Sequence, residues 1–265
     1  LAVFVTNTNE INRKQKKQIY ELSLSFPDLI YVMGESTLSS LSMKPLDLAG
    51  SPAIQVKYNL LNNWSRLMKR FADLVICLLS IIITLPFFLL LAAFIYLDSP
   101  GPVIFVQKRI GKDKKYFNLY KFRTMVTNAD EKLLELLKND ETIRNEYKKY
   151  HKIHNDPRVT RMGRFLRKTS LDEFPQIWNV VRGEMSLVGP RAYLPNELDE
   201  MGDFTSLIVR VSPGLTGWWQ VMGRHDVSFQ QRLKMDEYYI INFSLWMDVY
   251  IMVKTVWIII SGQGE

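Results

Sequence analysis

The longest feature of the hydrophobic pattern is an uncharged, apolar run from Leu74 to Leu97. A membrane helix needs about 20 predominantly apolar residues, so the run is long enough to enter a bilayer. Pro86 lies near its middle, where proline removes a backbone hydrogen bond and bends a helix. Basic residues lie on both sides of the run, and positive charge marks the cytoplasmic side of a membrane segment. We therefore predict a re-entrant membrane helix over about residues 66–97 that bends at Pro86, with a straight span as the alternative.

The pattern before this run is typical of strands and one helix. Residues 1–5 and 29–33 are short apolar runs, and the segment 9–24 between them has helical spacing. Strand, helix and strand form the unit of a parallel α/β sheet. We interpret residues 1–56 as the C-terminal part of an α/β accessory domain, in which the Pro- and Gly-containing stretch 34–56 is a linker. The first residue is not Met, so we expect further sequence upstream.

The pattern after the run predicts a mostly helical domain with a small β-hairpin over residues 57–265. Two strand-like runs, 103–108 and 116–122, flank a Gly-Lys-Asp-Lys turn and predict the hairpin. Helices are predicted over residues 130–150, 171–183, 229–243 and 245–260. The last helix is rich in Trp and Tyr, which is typical either of a membrane headgroup layer or of a buried packing helix. The predicted fold class is α/β, with a mostly helical, membrane-associated domain after the tail of an α/β domain.

Composition and charge narrow the class of protein and of partner. The chain has 265 residues, of which 47% are hydrophobic and 23% charged, and this excludes a disordered tail. The net charge of +7 is unevenly spread: residues 101–170 hold 18 basic and 8 acidic side chains, and residues 171–265 hold 7 and 12. A basic block predicts an anionic partner: a phosphorylated substrate, anionic lipid or nucleic acid. The uncharged apolar run argues against a soluble nucleic-acid-binding protein, so we expect that nucleic acid is not a partner.

The candidate chemistry lies at an adjacent acid pair, Asp172 and Glu173, which opens a predicted helix just after Arg167 and Lys168. A helix N-terminus and nearby arginines attract anions and keep an acid ionised. An ionised Asp there could attack a phosphorus atom and form an acyl phosphate, and the neighbouring Glu could hold Mg²⁺. Adjacent acids early in a helix are also common as partners of the helix dipole, so both interpretations stay open.

Seven short motifs, in this order, resemble the bacterial sugar transferase family, the monotopic polyprenyl-phosphate phosphoglycosyl transferases. They occupy residues 69–73, 99–102, 107–111, 120–125, 167–173, 185–191 and 213–217. The resemblance covers the chain from about Trp64 to its end and identifies residues 57–265 as the catalytic domain. Long members of the family carry an α/β domain and membrane helices upstream. Among them the chain looks most like the undecaprenyl-phosphate galactose phosphotransferases.

The resemblance implies a reaction and its residues. A hexose-1-phosphate, expected to be galactose-1-phosphate, passes from a UDP-sugar to undecaprenyl phosphate, and UMP is released. The family's Asp nucleophile, which carries the covalent phospho-sugar, matches Asp172, and its Mg²⁺-binding Glu matches Glu173. Contacts to substrate phosphate or nucleotide are implied for Arg167, Arg191, Lys121 and Arg123. The family's membrane helix bends at a Ser-Pro step, whereas Leu85 precedes Pro86 here.

The resemblance also implies where the protein acts and with which partners. It places the catalytic domain on the cytoplasmic face of the bacterial inner membrane, in contact with lipid, and implies a homodimer. The step would be the first membrane step of O-antigen, capsule or exopolysaccharide assembly. The alternative function is a non-catalytic membrane-surface scaffold that binds anionic lipid through the basic block. A scaffold, however, gives no reason for an acid pair beside Arg167.

Overall fold

A computed structural model gives the fold of the chain. The residues it describes are 2–5, 28–32, 43–48, 51–57, 60, 62–141, 143–144, 153, 156–223 and 227–261. Within them the protein is mostly helical, with three small sheets.

The first sheet contains four strands in the order β1-β2-β4-β3. The strands are β1 (Ala2–Val5), β2 (Asp28–Val32), β3 (Met43–Leu48) and β4 (Ser51–Lys57). The parallel β1–β2 pair confirms the two predicted strands, while the predicted helix 9–24 lies outside the described residues. The assignment of this region to a separate accessory domain stays a prediction.

The linker predicted over residues 34–56 is wrong where the structure describes it, because β3 and β4 form an antiparallel pair there. Prolines made this stretch look like a linker, since proline cannot donate a ladder hydrogen bond. Pro45, however, lies on the edge strand β3, and Pro52 lies near the beginning of β4. These are positions where a sheet tolerates proline.

The apolar run lies in one helix, α1 (Asn63–Asp98), which continues through Pro86. Its 36 residues make it about 54 Å long if straight. The side chain of Asn62 caps its amino end by accepting from Trp64 N at 3.1 Å. Just before the proline, the Thr84 hydroxyl donates to the Ser80 carbonyl at 2.5 Å. The re-entrant course of this helix stays a prediction.

One face of α1 packs on the protein along most of the helix. The buried residues recur every three or four positions at both ends: Lys69, Asp73, Cys77, Phe88, Leu91 and Ile95. Of the most apolar 18-residue window only 17% is buried, and by length and composition α1 could cross a membrane. A helix in the core of a soluble protein would be mostly buried, so the exposed apolar face needs another environment.

The predicted hairpin is confirmed by β5 (Ile104–Ile110) and β6 (Tyr116–Phe122), which pair in an antiparallel register. The turn between them contains a short 3₁₀ segment, Lys112–Lys114. Asp113 and Lys114 adopt left-handed backbone angles there, with φ of 55° and 59°. Such angles match the twist that a tight hairpin needs.

The remaining elements surround the carboxyl half of the core. The helices are α2 (Ala129–Asn139), α3 (Arg161–Lys168), α4 (Ile177–Arg182), α5 (Thr205–Ile208), α6 (Trp218–Met222), α7 (Phe229–Ile241) and α8 (Leu245–Ile260). Short 3₁₀ segments lie at Leu171–Gln176, Pro195–Glu197 and Gly202–Phe204. Strands β7 (Ser186–Val188) and β8 (Gly214–Thr216) form a parallel pair. Helices α7 and α8 confirm the two predictions, whereas α2 ends at Asn139 and most of its predicted extension lies outside the described residues.

Polar contacts join the amino end of α1 to the rest of the domain. The Lys69 ammonium pairs with the Asp248 carboxylate of α8 at 2.5 Å. The Arg70 guanidinium donates to the Val180 carbonyl at 2.5 Å, and the Ser186 hydroxyl donates to Asp73 at 2.6 Å. The motif at 69–73 therefore attaches the apolar helix to α4, β7 and α8.

Candidate active site

The acid pair lies in the 3₁₀ segment Leu171–Gln176 rather than at the start of an α-helix. Ser170 adopts a left-handed conformation (φ 55°), and its side chain makes no capping hydrogen bond. Pro175 explains the difference, because it has no N–H to donate to the Leu171 carbonyl in an α-helical turn. The helix continues as α4 and ends at Gly183 (φ 82°), as predicted. The charges around the acid pair therefore come from side chains rather than from a long helix dipole.

Lys121 and Glu173, two predicted site residues, are brought together. The Lys121 ammonium of β6 lies 2.5 Å from Glu173 Oε1, and both side chains are partly exposed. Asp172 is half-buried beside them in the sequence. Arg167, at the end of α3, donates from Nε to the Thr124 hydroxyl at 3.0 Å. A basic residue thus contacts the acid pair directly, and Arg167 is held against the segment that follows β6.

The acid pair is also joined to the apolar helix. Phe174, two residues after Asp172, stacks on Phe88 of α1 with ring centroids 3.5 Å apart and an interplanar angle of 14°. Phe88 stacks in turn on Phe122 at the end of β6, at 5.8 Å. Phe88 is buried and follows Pro86 by two positions. The second half of α1 therefore supports the segment that carries the candidate nucleophile.

Arg123 has contacts of a different kind. Its side chain is buried, and Nη2 donates to the Ser99 carbonyl in the turn after α1. Its backbone N–H donates to the Val103 carbonyl at 2.8 Å. Gly101 adopts φ 132° next to it, and a Cβ there would lie 2.6 Å from Arg123 Nη1. These contacts favour a structural role for Arg123, and its predicted contact with substrate stays a prediction.

Arg191 lies in a loop that several buried groups hold in place. Its backbone N–H donates to Asp236 Oδ2 at 3.1 Å, and the Tyr193 hydroxyl donates to the same oxygen at 2.8 Å. Burial raises the pKa of Asp236 to about 7. Arg109 Nη1 donates to the Ala192 carbonyl at 2.9 Å. The orientation of Arg191 therefore depends on contacts from β5 and α7.

Arg109 connects this loop with the acid pair electrostatically. Its pKa is lowered to about 10, first by burial and then by the charge of Arg191, while Glu197 and Glu173 act in the opposite direction. The charge of Glu173 therefore favours the protonated form of Arg109, and the charge of Arg191 opposes it. The sequence indicated Arg109 only as part of the 107–111 motif and gave it no role.

Asn179 is a supporting residue that the sequence analysis missed. It is fully buried, and its amide donates to the Asn118 carbonyl and to Glu184 Oε2, each at 2.7 Å. Its oxygen accepts from the Tyr120 N–H at 3.2 Å. These bonds fix α4 against β6 and so fix the acid pair relative to Lys121. The sequence feature that could have indicated this supporting role is a lone asparagine within the apolar stretch 177–181.

The described residues contain no group of three or more His, Cys, Asp or Glu side chains that could enclose a metal ion. Mg²⁺ in phosphate-transfer sites is usually held by one or two carboxylates together with substrate phosphates and water. The partly exposed Glu173 beside Asp172 fits that arrangement, with one oxygen directed to Lys121. The site therefore suits a Mg²⁺ that shares its coordination with a phosphate ligand.

Comparison with known proteins identifies the class. The sequence profile of the bacterial sugar transferase family matches residues 64–262, and the chain belongs to this family. It is 44% identical over 211 residues to the UDP-galactose-lipid carrier transferase of Erwinia amylovora, and 43% identical over 211 residues to the undecaprenyl-phosphate galactose phosphotransferase of Salmonella typhimurium. Each match covers 80% of this chain and 44% of the relative, so the chain spans less than half the length of these curated relatives.

A shorter relative matches over nearly its whole length. The exopolysaccharide production protein ExoY of Sinorhizobium fredii is 40% identical over 197 residues, which is 74% of this chain and 87% of that protein. A family member therefore exists that consists of little more than the region matched here.

Proposed function

We propose that the chain transfers a hexose-1-phosphate, with galactose-1-phosphate as the expected group, from a UDP-sugar to undecaprenyl phosphate and releases UMP. The observation that best supports this proposal is the position of the acid pair in the fold. It lies beside Lys121 and is stacked through Phe174 on a helix whose opposite face is apolar and exposed. A water-soluble sugar nucleotide and a lipid phosphate can both approach such a site. The names of the two galactose-transferring relatives support the sugar.

The proposed reaction has two displacements at one phosphorus atom. A carboxylate oxygen of Asp172 attacks the β-phosphorus of the UDP-sugar, the bond to the bridging oxygen breaks, and UMP leaves with that electron pair. An oxygen of undecaprenyl phosphate then attacks the same phosphorus and releases the Asp172 carboxylate. Lys121 and Arg167 offset the negative charge that develops on the phosphate oxygens. Mg²⁺, when bound, would be held by Glu173 and would neutralise the same oxygens.

The membrane arrangement that we propose is a re-entrant helix on the cytoplasmic face of the bacterial inner membrane. Arg70 donates to Val180 near one end of α1, and Asp98 accepts from Met162 N at 2.9 Å at the other end. These positions are about 42 Å apart along a straight helix, more than the hydrocarbon core of about 30 Å. A straight crossing would leave one domain in contact with both sides of the bilayer. A helix that enters and leaves on one face avoids this.

The terminal helix α8 supports the same arrangement. Its described side chains are mostly exposed, including Trp246 at 82% and Trp257 at 68%, while Ile251 and Asp248 are buried. Exposed Trp side chains on an apolar helix suit the headgroup layer. Helices α1 and α8 then form one lipid-facing surface, and the basic block favours anionic lipid.

The experiment that tests the reaction is a donor screen with the purified chain and undecaprenyl phosphate. We expect UMP release with a UDP-hexose, and a covalent phospho-sugar detectable by intact mass before the lipid is added. Asp172→Asn should abolish both signals, whereas the control Asp199→Asn, at an exposed acid, should preserve them. UMP release at the normal rate from Asp172→Asn would refute the proposed nucleophile. Binding to anionic vesicles without UMP release from any donor would instead support the scaffold alternative.

Two further parts of the proposal are the Mg²⁺ requirement and the homodimer. Chelation should stop UMP release and added Mg²⁺ should restore it. Light scattering in detergent, corrected for bound detergent, should give twice the chain mass of 31.0 kDa.

A further inference from the structure

Two arginines, Arg191 and Arg232, lie against the ring of Trp219, and a third, Arg109, contacts the residue that follows Arg191. We call Arg109, Arg191, Arg232 and Trp219 the arginine cluster. The Arg232 guanidinium carbon lies 4.5 Å from the centre of the Trp219 ring, and that of Arg191 lies 5.6 Å away. Arg109 donates from Nη1 to the carbonyl of Ala192, the residue after Arg191, at 2.9 Å. The four residues come from β5, the loop after β7, α6 and α7, so only the tertiary fold brings them together.

The cluster contains an unusual concentration of buried polar atoms without hydrogen-bond partners. They are the Nε atoms of its three arginines, the indole Nε1 of Trp219 and, beside them, Oδ1 of Asp236. Elsewhere among the described residues only Arg123 has side-chain atoms of this kind. Buried polar groups in proteins are nearly always hydrogen-bonded, so four unbonded donors beside a single unbonded acceptor point to a missing acceptor.

The charge of the cluster indicates what that acceptor is. None of its three arginines forms an ion pair within the part of the chain that the structure describes. The pKa of Arg232 is lowered, first by burial and then by the charge of Arg191, while Tyr193, Glu197 and Asp236 act in the opposite direction. Asp236 is fully buried, and its Oδ2 accepts from Tyr193 and from the Arg191 backbone rather than from a guanidinium. Partly buried guanidinium groups that form no ion pair are costly to desolvate, and a bound anion would relieve that cost.

We propose that the arginine cluster binds the phosphate of the nucleoside monophosphate that leaves the donor, with Arg232 and Trp219 as its unassigned members. This inference rests on the proposed function. Arg109 lies on β5, which pairs with β6, and Lys121 of β6 contacts Glu173, so the cluster and the acid pair are joined by one hairpin. A donor with its sugar-bearing phosphate at Asp172 would extend its second phosphate toward these arginines. The cluster would then stabilise the negative charge that the leaving group acquires.

Both the nucleoside monophosphate and the acceptor lipid carry a phosphate that the arginine cluster could bind. The test therefore compares ligands that differ in which of these phosphates they contain. We would measure binding of UMP, uridine and a short-chain polyprenyl phosphate to the full chain in detergent. Arg232→Gln should weaken UMP binding by about tenfold or more, because a charge-assisted hydrogen bond to phosphate is lost. Lys234→Gln is the matched control, since it removes the same charge from an exposed position on the same helix. It should change UMP binding by less than about twofold.

Uridine, which lacks the phosphate, should bind equally to the wild type and to Arg232→Gln. Unchanged UMP affinity in Arg232→Gln would overturn the inference, and so would a loss confined to the polyprenyl phosphate. If Arg232→Gln does not fold, Arg232→Lys and Trp219→Phe take its place, and each should weaken UMP binding while uridine binding is kept. Failure of the proposed function would appear separately, as the absence of UMP release from every donor in the wild type.

Discussion

The ion pair between Lys69 and Asp248 gives a prediction whose size follows from its burial. The Lys69 ammonium lies 2.5 Å from Asp248 Oδ2, and the two side chains are only 9% and 8% exposed. The Tyr239 hydroxyl donates to the other oxygen of Asp248 at 2.7 Å. Removal of one partner from such a pair leaves a buried charge without compensation. We therefore expect Lys69→Met to lower the free energy of unfolding by about 3 to 5 kcal/mol.

The stability lost in Lys69→Met should be regained when both charges of the ion pair are removed. Lys69→Met combined with Asp248→Leu leaves no buried charge, and apolar replacements of a whole pair are often neutral. Denaturant unfolding in detergent, followed by tryptophan fluorescence, would measure the single variants and the double variant as a cycle. If the double variant lost as much stability as the sum of the singles, the contact would carry no coupling and the reasoning would be wrong.

The pH dependence of the same variant supplies an independent check. Burial raises the pKa of Asp248, and Lys69 opposes that rise. Without Lys69 the folded-state pKa should rise further above the unfolded value. The folded state then binds more protons than the unfolded state, and stability falls as the pH rises through that interval. The deficit of Lys69→Met should therefore be smaller at about pH 5 than at about pH 8. An equal deficit at both pH values would contradict the assignment to Asp248.

Three further predictions concern the support of the site and the membrane helix. Phe88→Ala should cost about 3 to 5 kcal/mol of stability and reduce UMP release more than the control Phe94→Ala, because Phe88 is buried against the acid-pair segment and Phe94 is exposed. Gly163→Ala should lower the thermal midpoint strongly, since its Cβ would lie 2.0 Å from a backbone oxygen, and an unchanged midpoint would refute the packing. Cysteines introduced as Leu67→Cys and Val106→Cys should both react with an impermeant reagent from the cytoplasmic side, whereas labelling from opposite sides would exclude the re-entrant helix.

Local patterns were sufficient for the elements whose partners are near in sequence. The β5–β6 hairpin follows from two strand-like runs around a polar turn, and α7 and α8 follow from helical spacing. The apolar run predicted α1, because the length of a charge-free stretch indicates a membrane helix without any knowledge of its tertiary contacts. The local signal failed at residues 34–56, where prolines at tolerated positions hid two strands. It failed again at the beginning of the helix predicted over residues 171–183, where Leu171–Gln176 is a 3₁₀ segment that contains Pro175.

The residues of the candidate site could be predicted from the sequence, but most of their contacts could not. The acid pair, Lys121, Arg167 and Arg191 are indicated by short motifs, and the sequence alone assigned their chemistry through a resemblance. Only the tertiary structure decided that Lys121 pairs with Glu173 and that Arg123 is directed to the turn after α1. It also decided that the arginine cluster forms around Trp219. The physical reason is that a pattern of apolar and polar residues records how each segment meets water or the core. A contact between side chains from different elements depends instead on how the whole chain packs.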